Sequence, residues 1–279
     1  MNEQQYKELI AKQYKMCVKD PIHFITNYCY VQHTLKGRIL FDLYEFQKSA
    51  LGSILEPDRT IILKGRQLGL STLIAAYALW MMLFHPDKRV LVIATQERVA
   101  KKLVEKVVYM YDFLPSWLQT KLKEKSQKQK MVFVNNSQIE AIAATKNAGR
   151  GDALSLLVID EMAFIPNAIM DEIWKAATKT LATGGQGIFL STPNGKSNKF
   201  YKVWNDAEQG INGFNFMKLP WFVHPDRDQA WRDNEDIELG IDDASQENDC
   251  LGGNSMITIY DKYTDKIKQI TLEDLYNEC

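Results

Sequence analysis

The chain has 279 residues, 46% of them hydrophobic and 25% charged, with 34 Lys and Arg against 35 Asp and Glu for a net charge of −1. Those proportions belong to folded globular protein and exclude wholesale disorder and fibrous repeats. The near-zero charge excludes a globally basic nucleic-acid binder and leaves only a local basic patch open.

In chain order, residues 4–18 read as a helix ended by Asp20-Pro21, and an aromatic-rich stretch follows over 23–31. Residues 41–55 read as a helix and 60–63 as a short buried strand. A glycine-containing turn then leads into a helix over 71–84. Residues 89–95 (Arg-Val-Leu-Val-Ile-Ala-Thr) predict a strand, 96–112 and 116–125 helices, and 131–135 and 138–143 short strands. Strands at 156–160 and 187–191 alternate with helices at 168–181 and 197–208. Apolar strands alternating with helices predict an α/β fold with a mostly parallel sheet wrapped by helices, running from about residue 55 to 220. Residues 221–249, Trp-rich and then acidic, read as a linker. Residues 250–279 read as two short strands, 256–260 and 267–270, and a short helix, 272–278. The apolar run 73–84 is too short to span a bilayer and the first residues are polar, so neither a membrane span nor a leader is expected. Cys17, Cys29, Cys250 and Cys279 fit no zinc spacing, and a reducing cytoplasmic compartment is expected.

Residues 64–72, Lys-Gly-Arg-Gln-Leu-Gly-Leu-Ser-Thr, fall between a strand and a helix, where backbone N–H groups and a helix N-terminus cradle phosphate. The usual pattern is G-x-x-x-x-G-K-[ST]. Here Lys64 takes the first-glycine position and Leu70 the lysine position, so alone the match also fits an ordinary strand–turn–helix. Lys64, Gly65, Arg66, Gln67, Gly69, Leu70, Ser71 and Thr72 are the candidate ATP contacts. The strand 156–160 ends in Asp160-Glu161. Asp160, with the Ser71 hydroxyl, suits Mg2+, and Glu161 suits orienting and deprotonating an attacking water. The two segments in this order weaken the bland reading of each. Ser191, Thr192 and Pro193 end a further strand and can relay hydrolysis elsewhere. Gln47 can read an adenine edge through its amide.

Cys17 to Pro21 with Phe24, then Gly37, Phe41, Leu43-Tyr44 and Phe46-Gln47, then 65–69 (Gly-Arg-Gln-Leu-Gly), resemble the large terminase subunit of T4-like tailed phages. So do 158–161 (Val-Ile-Asp-Glu), 191–195 (Ser-Thr-Pro-Asn-Gly), and Trp221 with Pro225, Asp226, Arg227 and Trp231. The resemblance covers residues 10–249. It implies a P-loop ATPase of the ASCE type that drives double-stranded viral DNA into a procapsid, at the portal, with a small terminase subunit, as a ring oligomer in the host cytoplasm. By it, Gly69 and Ser71 belong to the phosphate loop, Asp160 holds Mg2+, Glu161 is the catalytic carboxylate, and residues 191–193 couple hydrolysis to motion. Some terminases carry the phosphate-contacting lysine at the start of the loop, where Lys64 stands. Arg66 and Arg150 are candidates for stabilising transition-state charge. The implied organisation is an N-terminal helical region with the adenine-side motif (1–50), the ATPase domain (51–220) and a linker toward a nuclease (221–249). The chain stops short of that nuclease, so nuclease activity is not expected of it.

Residues 250–259, Cys-Leu-Gly-Gly-Asn-Ser-Met-Ile-Thr-Ile, resemble the opening block of an intein, and 266–276 the stretch after it. This implies the N-terminal fragment of an atypically split intein, all-β when complete and unfinished alone. Cys250 would attack the Asp249 carbonyl, and the partner would be a C-terminal split-intein–nuclease chain. The alternative is a truncated P-loop DNA-translocating or helicase-like ATPase with a non-functional tail.

Overall fold

A computed structural model describes residues 2–56, 58–125, 129–150, 153–181, 184–250, 256–261 and 266–271. Helices α1 (Glu3–Lys19) and α2 (Pro21–Tyr28) share the junction residue Asp20, whose carboxylate caps α2 by accepting from the Ile22 N–H. The antiparallel pair β1 (Tyr30–His33) and β2 (Gly37–Leu40) follows, then α3 (Glu45–Leu55). Strand β3 (Arg59–Lys64) leads into α4 (Leu70–Phe84), β4 (Arg89–Ala94) into α5 (Glu97–Asp112). Next come β5 (Leu122–Lys125), β6 (Lys130–Phe133), β7 (Gln138–Ala143), β8 (Leu156–Asp160), α6 (Asn167–Leu181), β9 (Gln186–Ser191), α7 (Lys199–Glu208) and β10 (Asn215–Leu219). Helices α8 (Gln229–Leu239) and α9 (Ile241–Asn248), then the antiparallel hairpin β11 (Met256–Asp261) and β12 (Lys266–Thr271), complete the described chain.

Eight strands form one sheet in the order β10-β3-β9-β8-β4-β7-β6-β5. Pairing is parallel from β10 to β7 and antiparallel from β7 to β5. The central strands are covered on both faces, which is why β3, β4, β8 and β9 read as unbroken apolar runs rather than alternating ones. One core lies between the sheet and the helices α2 to α5, the other under α6 and α7. Helix α4 is apolar on every side because it lies within the first core, with Leu73, Ile74, Ala76 and Leu79 fully buried.

Five points differ from the sequence expectations. Residues 116–125 are not a helix: a turn at Pro115, closed by the Leu118 N–H to the Pro115 carbonyl, leads to β5, which pairs with β6. Antiparallel pairing overrides the helix propensity of Leu, Lys and Glu there. The aromatic-rich stretch resolves into the end of α2 and the β1–β2 hairpin, and β10 was not anticipated. Helix α3 starts at Glu45, since Tyr44 is extended and serves as its N-cap. Residues 221–249 are not an open connector but a short 3-10 turn and two helices folded onto the domain. The expected helix at 272–278 lies outside the described residues.

The fold of 229–249 is fastened by Arg232, buried to 6% exposure. Its guanidinium donates to both Asp249 oxygens at 2.8 and 2.9 Å, to Ser245 Oγ at 3.1 Å, and to Asp236. Those carboxylates raise its pKa, with the Asp249 hydrogen bonds the largest cause. Removing the arginine strands both carboxylates, so Arg232→Met is expected to lose about 3 kcal/mol of folding free energy in urea titrations. An unchanged midpoint would show that the knot contributes nothing net.

Candidate functional site

The site forms where the C-terminal ends of β3 and β8 come together. After β3, Gly69 adopts φ +73 at the N-cap of α4, a conformation open to glycine because it has no Cβ. A Cβ there would also meet Gln47 Nε2 at 2.6 Å. Gln47, 2% exposed, donates from Nε2 to the Leu68 carbonyl at 3.0 Å, and its Oε1 accepts from the Tyr44 N–H at 3.2 Å. In this structure the amide braces the loop from α3. Leu70, at the first position of α4, is 1% exposed and joins the core. The position that usually carries the loop lysine therefore supplies packing, and the cations of the loop are Lys64 at its start and Arg66.

From β8, Asp160 Oδ2 accepts from Ser71 Oγ at 2.9 Å and Oδ1 from the Glu161 N–H at 2.9 Å. Burial raises the Asp160 pKa, and the nearby Lys64 charge opposes that rise. Glu161 sits in the left-handed region at φ +53, a conformation costing on the order of 1–3 kcal/mol for a residue with a side chain. The turn brings its Oε1 to 3.2 Å from Lys64 Nζ, whose side chain is 9% exposed. Glu161 Oε2 is buried with no hydrogen-bond partner. A buried carboxylate oxygen left open, beside a cation and a strained turn, is a place for a water to be held.

The Ser71 hydroxyl and Asp160 suit a divalent cation that takes its remaining oxygens from bound phosphate and water. Among the described residues no trio of His, Cys, Asp or Glu forms a metal-ligand cluster. Thr72, next to Ser71, donates its backbone N–H to the Gly69 carbonyl at 3.0 Å. Ser191, fully buried at the end of β9, accepts from the Ala163 N–H at 3.1 Å, and Asn194 Nδ2 donates to the Ala163 carbonyl at 3.0 Å. With Thr192 (1% exposed) and Pro193, this segment is tied to the 3-10 turn that follows Glu161.

The two candidate arginines part ways. Arg66 lies on the loop, its Nε 2.6 Å from Glu247 of α9, and its N–H donates to the Glu247 carbonyl at 2.8 Å. Arg150 follows β7 and pairs with Glu172 of α6 at 2.6 Å. The sequence did not signal Glu247, and it singled out Arg227 only as part of the terminase resemblance, not for its contact with the loop, where its guanidinium donates to the Arg66 carbonyl at 3.0 Å. Both reach the loop through tertiary packing alone. Gly65 also packs tightly on α9, since a Cβ would meet the Asn248 carbonyl at 2.9 Å. Cys250 is fully buried at φ +53, its thiol donates to the Leu219 carbonyl at 3.4 Å, and burial pushes its pKa up to about 12. In this state it is a thiol rather than a thiolate. Cys17 and Cys29 are buried and free.

Comparison with known proteins points in one direction. Residues 61–262 match the family model described as terminase large subunit, T4likevirus-type, N-terminal. The fold is similar to the large terminase ATPase domain of Thermus phage P74-26, at 21% identity and a TM-score of 0.58 over 75% of this chain and 93% of that one. It is also similar to the HK97 bacteriophage large terminase, at 15% identity and a TM-score of 0.69, over 86% of this chain and 56% of that one. A third likeness is to the large terminase of a thermophilic bacteriophage in complex with ADP, at 11% identity and a TM-score of 0.59, over 74% of this chain and 52% of that one.

Proposed function

This chain belongs to the terminase large subunit family, T4-like type, by its N-terminal part, and from that premise we propose that it is the ATP-hydrolysing segment of a DNA-packaging motor. The observation that carries the reading is the pair of links from the two ends of the β3–α4 loop to the end of β8: Lys64 to Glu161, and Ser71 to Asp160. It gathers a cation, a hydroxyl and two carboxylates around a loop shaped for phosphate. Magnesium, when bound, neutralises charge developing on the phosphate oxygens. Ser71 and Asp160 would hold it. Lys64 contributes its ammonium from the start of the loop to the terminal phosphates. Glu161 orients the attacking water and takes its proton. Gln47 supports the loop and stands at the adenine side. Arg66, once released from Glu247, adds positive charge at the γ-phosphate, and Arg150 is the candidate for a charge offered from outside the site. Residues 191–193 carry the rearrangement onward. Double-stranded viral DNA, a portal-bearing procapsid, a small terminase subunit and further copies in a ring, in the infected host's cytoplasm, are the partners of this reading.

Phosphate release by the purified full chain with Mg2+ and ATP tests it. Lys64→Ala is expected to lower the rate by about 10²-fold or more, the size seen when one preorganised cationic or donor group is lost. Hydrolysis unchanged in that variant would sink the displaced-lysine assignment.

A second reading, from the tail, is trans-splicing initiated by Cys250. The antiparallel β11–β12 hairpin after Cys250 favours it. In that reaction the Cys250 sulfur attacks the Asp249 carbonyl carbon and the Asp249–Cys250 amide becomes a thioester with a free amine. The partner's first extein side chain then takes the acyl group. The buried thiol must first leave the Leu219 carbonyl. Intact-mass spectrometry after mixing with a C-terminal intein partner decides it, through a product ligated at Asp249.

A further inference from the structure

Helix α5 carries a cation next to the phosphate site that the reading above does not use. Lys106 and Lys102, one turn apart, line a cleft of about 490 Å³ together with Glu105 and Tyr109 of the same helix, Gln32 of β1 and Thr72 of α4. Thr72 directly follows Ser71, whose hydroxyl meets Asp160. The cleft therefore opens against the first turn of the helix that receives phosphate. Lys106 is half-buried, and among the described residues no carboxylate lies within ion-pair distance of it. Its neighbour Lys101 differs, pairing with Glu97 at 2.6 Å. Burial lowers the Lys106 pKa, Asp160 pulls against that, and Lys102 and Lys64 repel it. Lys106 thus stands within electrostatic reach of Asp160, partly removed from water and without an ion-pair partner. A half-buried unpaired ammonium is unfavourable until an anion joins it.

We propose that the α5 cleft is part of the nucleotide site and that Lys106 binds the polyphosphate of ATP and ADP beside the Ser71–Asp160 pair. This rests on the ATPase reading. A lysine suits the task because its ammonium is a compact point charge on a flexible stem that can follow phosphate without a fixed fork geometry.

The test is calorimetric titration of the full chain with Mg–ATP and Mg–ADP, set beside the thermal midpoint of the nucleotide-free protein. Lys106→Met is expected to raise the Kd for both nucleotides about ten-fold and to leave the midpoint unchanged or higher, since an unpaired ammonium is removed. Lys106→Arg should restore the Kd to within about two-fold, and Lys101→Met should bind as the parent does. An unchanged Kd in Lys106→Met, alongside lost Mg-dependent affinity in Ser71→Ala, overturns the assignment of Lys106 alone. A Kd rise that comes with a lower midpoint and no rescue by arginine overturns it too, as a structural effect. Parent-like binding in Ser71→Ala overturns the ATPase reading itself.

Discussion

Glu161→Gln is expected to bind ATP and to hydrolyse it about 10²–10⁴-fold more slowly, the contribution typical of a positioned general base. The isosteric amide keeps the side-chain length and the strained φ of +53 and removes the ability to take a proton. It also replaces the ion pair with Lys64 at 3.2 Å by a neutral contact. The Lys64 ammonium remains available for phosphate, so nucleotide affinity is retained or increased. Single-turnover hydrolysis measured beside equilibrium binding checks both halves. A rate within a few-fold of the parent would move the base away from Glu161.

Asp160→Asn carries the second large effect, with opposite signs for stability and function. Burial raises the Asp160 pKa above its ordinary value of 3.8, so ionised Asp160 opposes folding when no cation is bound. The folded protein holds this proton more tightly than the unfolded chain. Its nucleotide-free stability therefore gains as pH falls through the raised pKa, and the gain is complete below about 3.8. Asparagine carries no such charge. The variant is expected to melt a few degrees higher at neutral pH, to lose this part of the acid-side pH dependence, and to lose Mg-dependent hydrolysis by about 10²-fold or more. Differential scanning calorimetry at pH 7 and pH 5 checks the first two. A lower midpoint at pH 7 would mean that the bonds from Ser71 and the Glu161 N–H outweigh the cost of burying the charge.

The parallel core was legible because strands buried on both faces are apolar along their length, and residues 61–63, 90–94, 156–159 and 187–190 form such runs. The β3–α4 loop and the Asp160-Glu161 strand end were legible as two polar strand ends in that order, and the structure brings them into contact through Ser71–Asp160 and Lys64–Glu161. The helix expected over 116–125 failed because local propensity lost to pairing with a strand the residues themselves do not announce. Strand β10 is short and alternates between half-buried and exposed positions, so its five residues give little signal apart from β3. The Leu70 substitution was visible as a departure, and the structure gives its physical sense as a core residue. Glu247 and Lys106, and the contact that Arg227 makes, were invisible, since each approaches the loop or Asp160 from a distant part of the chain and no periodicity encodes that approach.

The β3–α4 loop is translated early but fastened late. The Gly65 N–H donates to the Leu219 carbonyl at 2.8 Å, the Arg66 N–H to the Glu247 carbonyl at 2.8 Å, and β3 is flanked by β9 and β10, all made long after it. At about 5–20 residues per second of synthesis, the nascent loop waits several seconds or more with its backbone groups in water. It cannot take up its final shape until β9, β10 and α9 have left the ribosome. Nucleotide therefore cannot act as a template for the first half of the nascent chain, and ribosome-bound intermediates ending before β9 should fail to be retained on immobilised ATP.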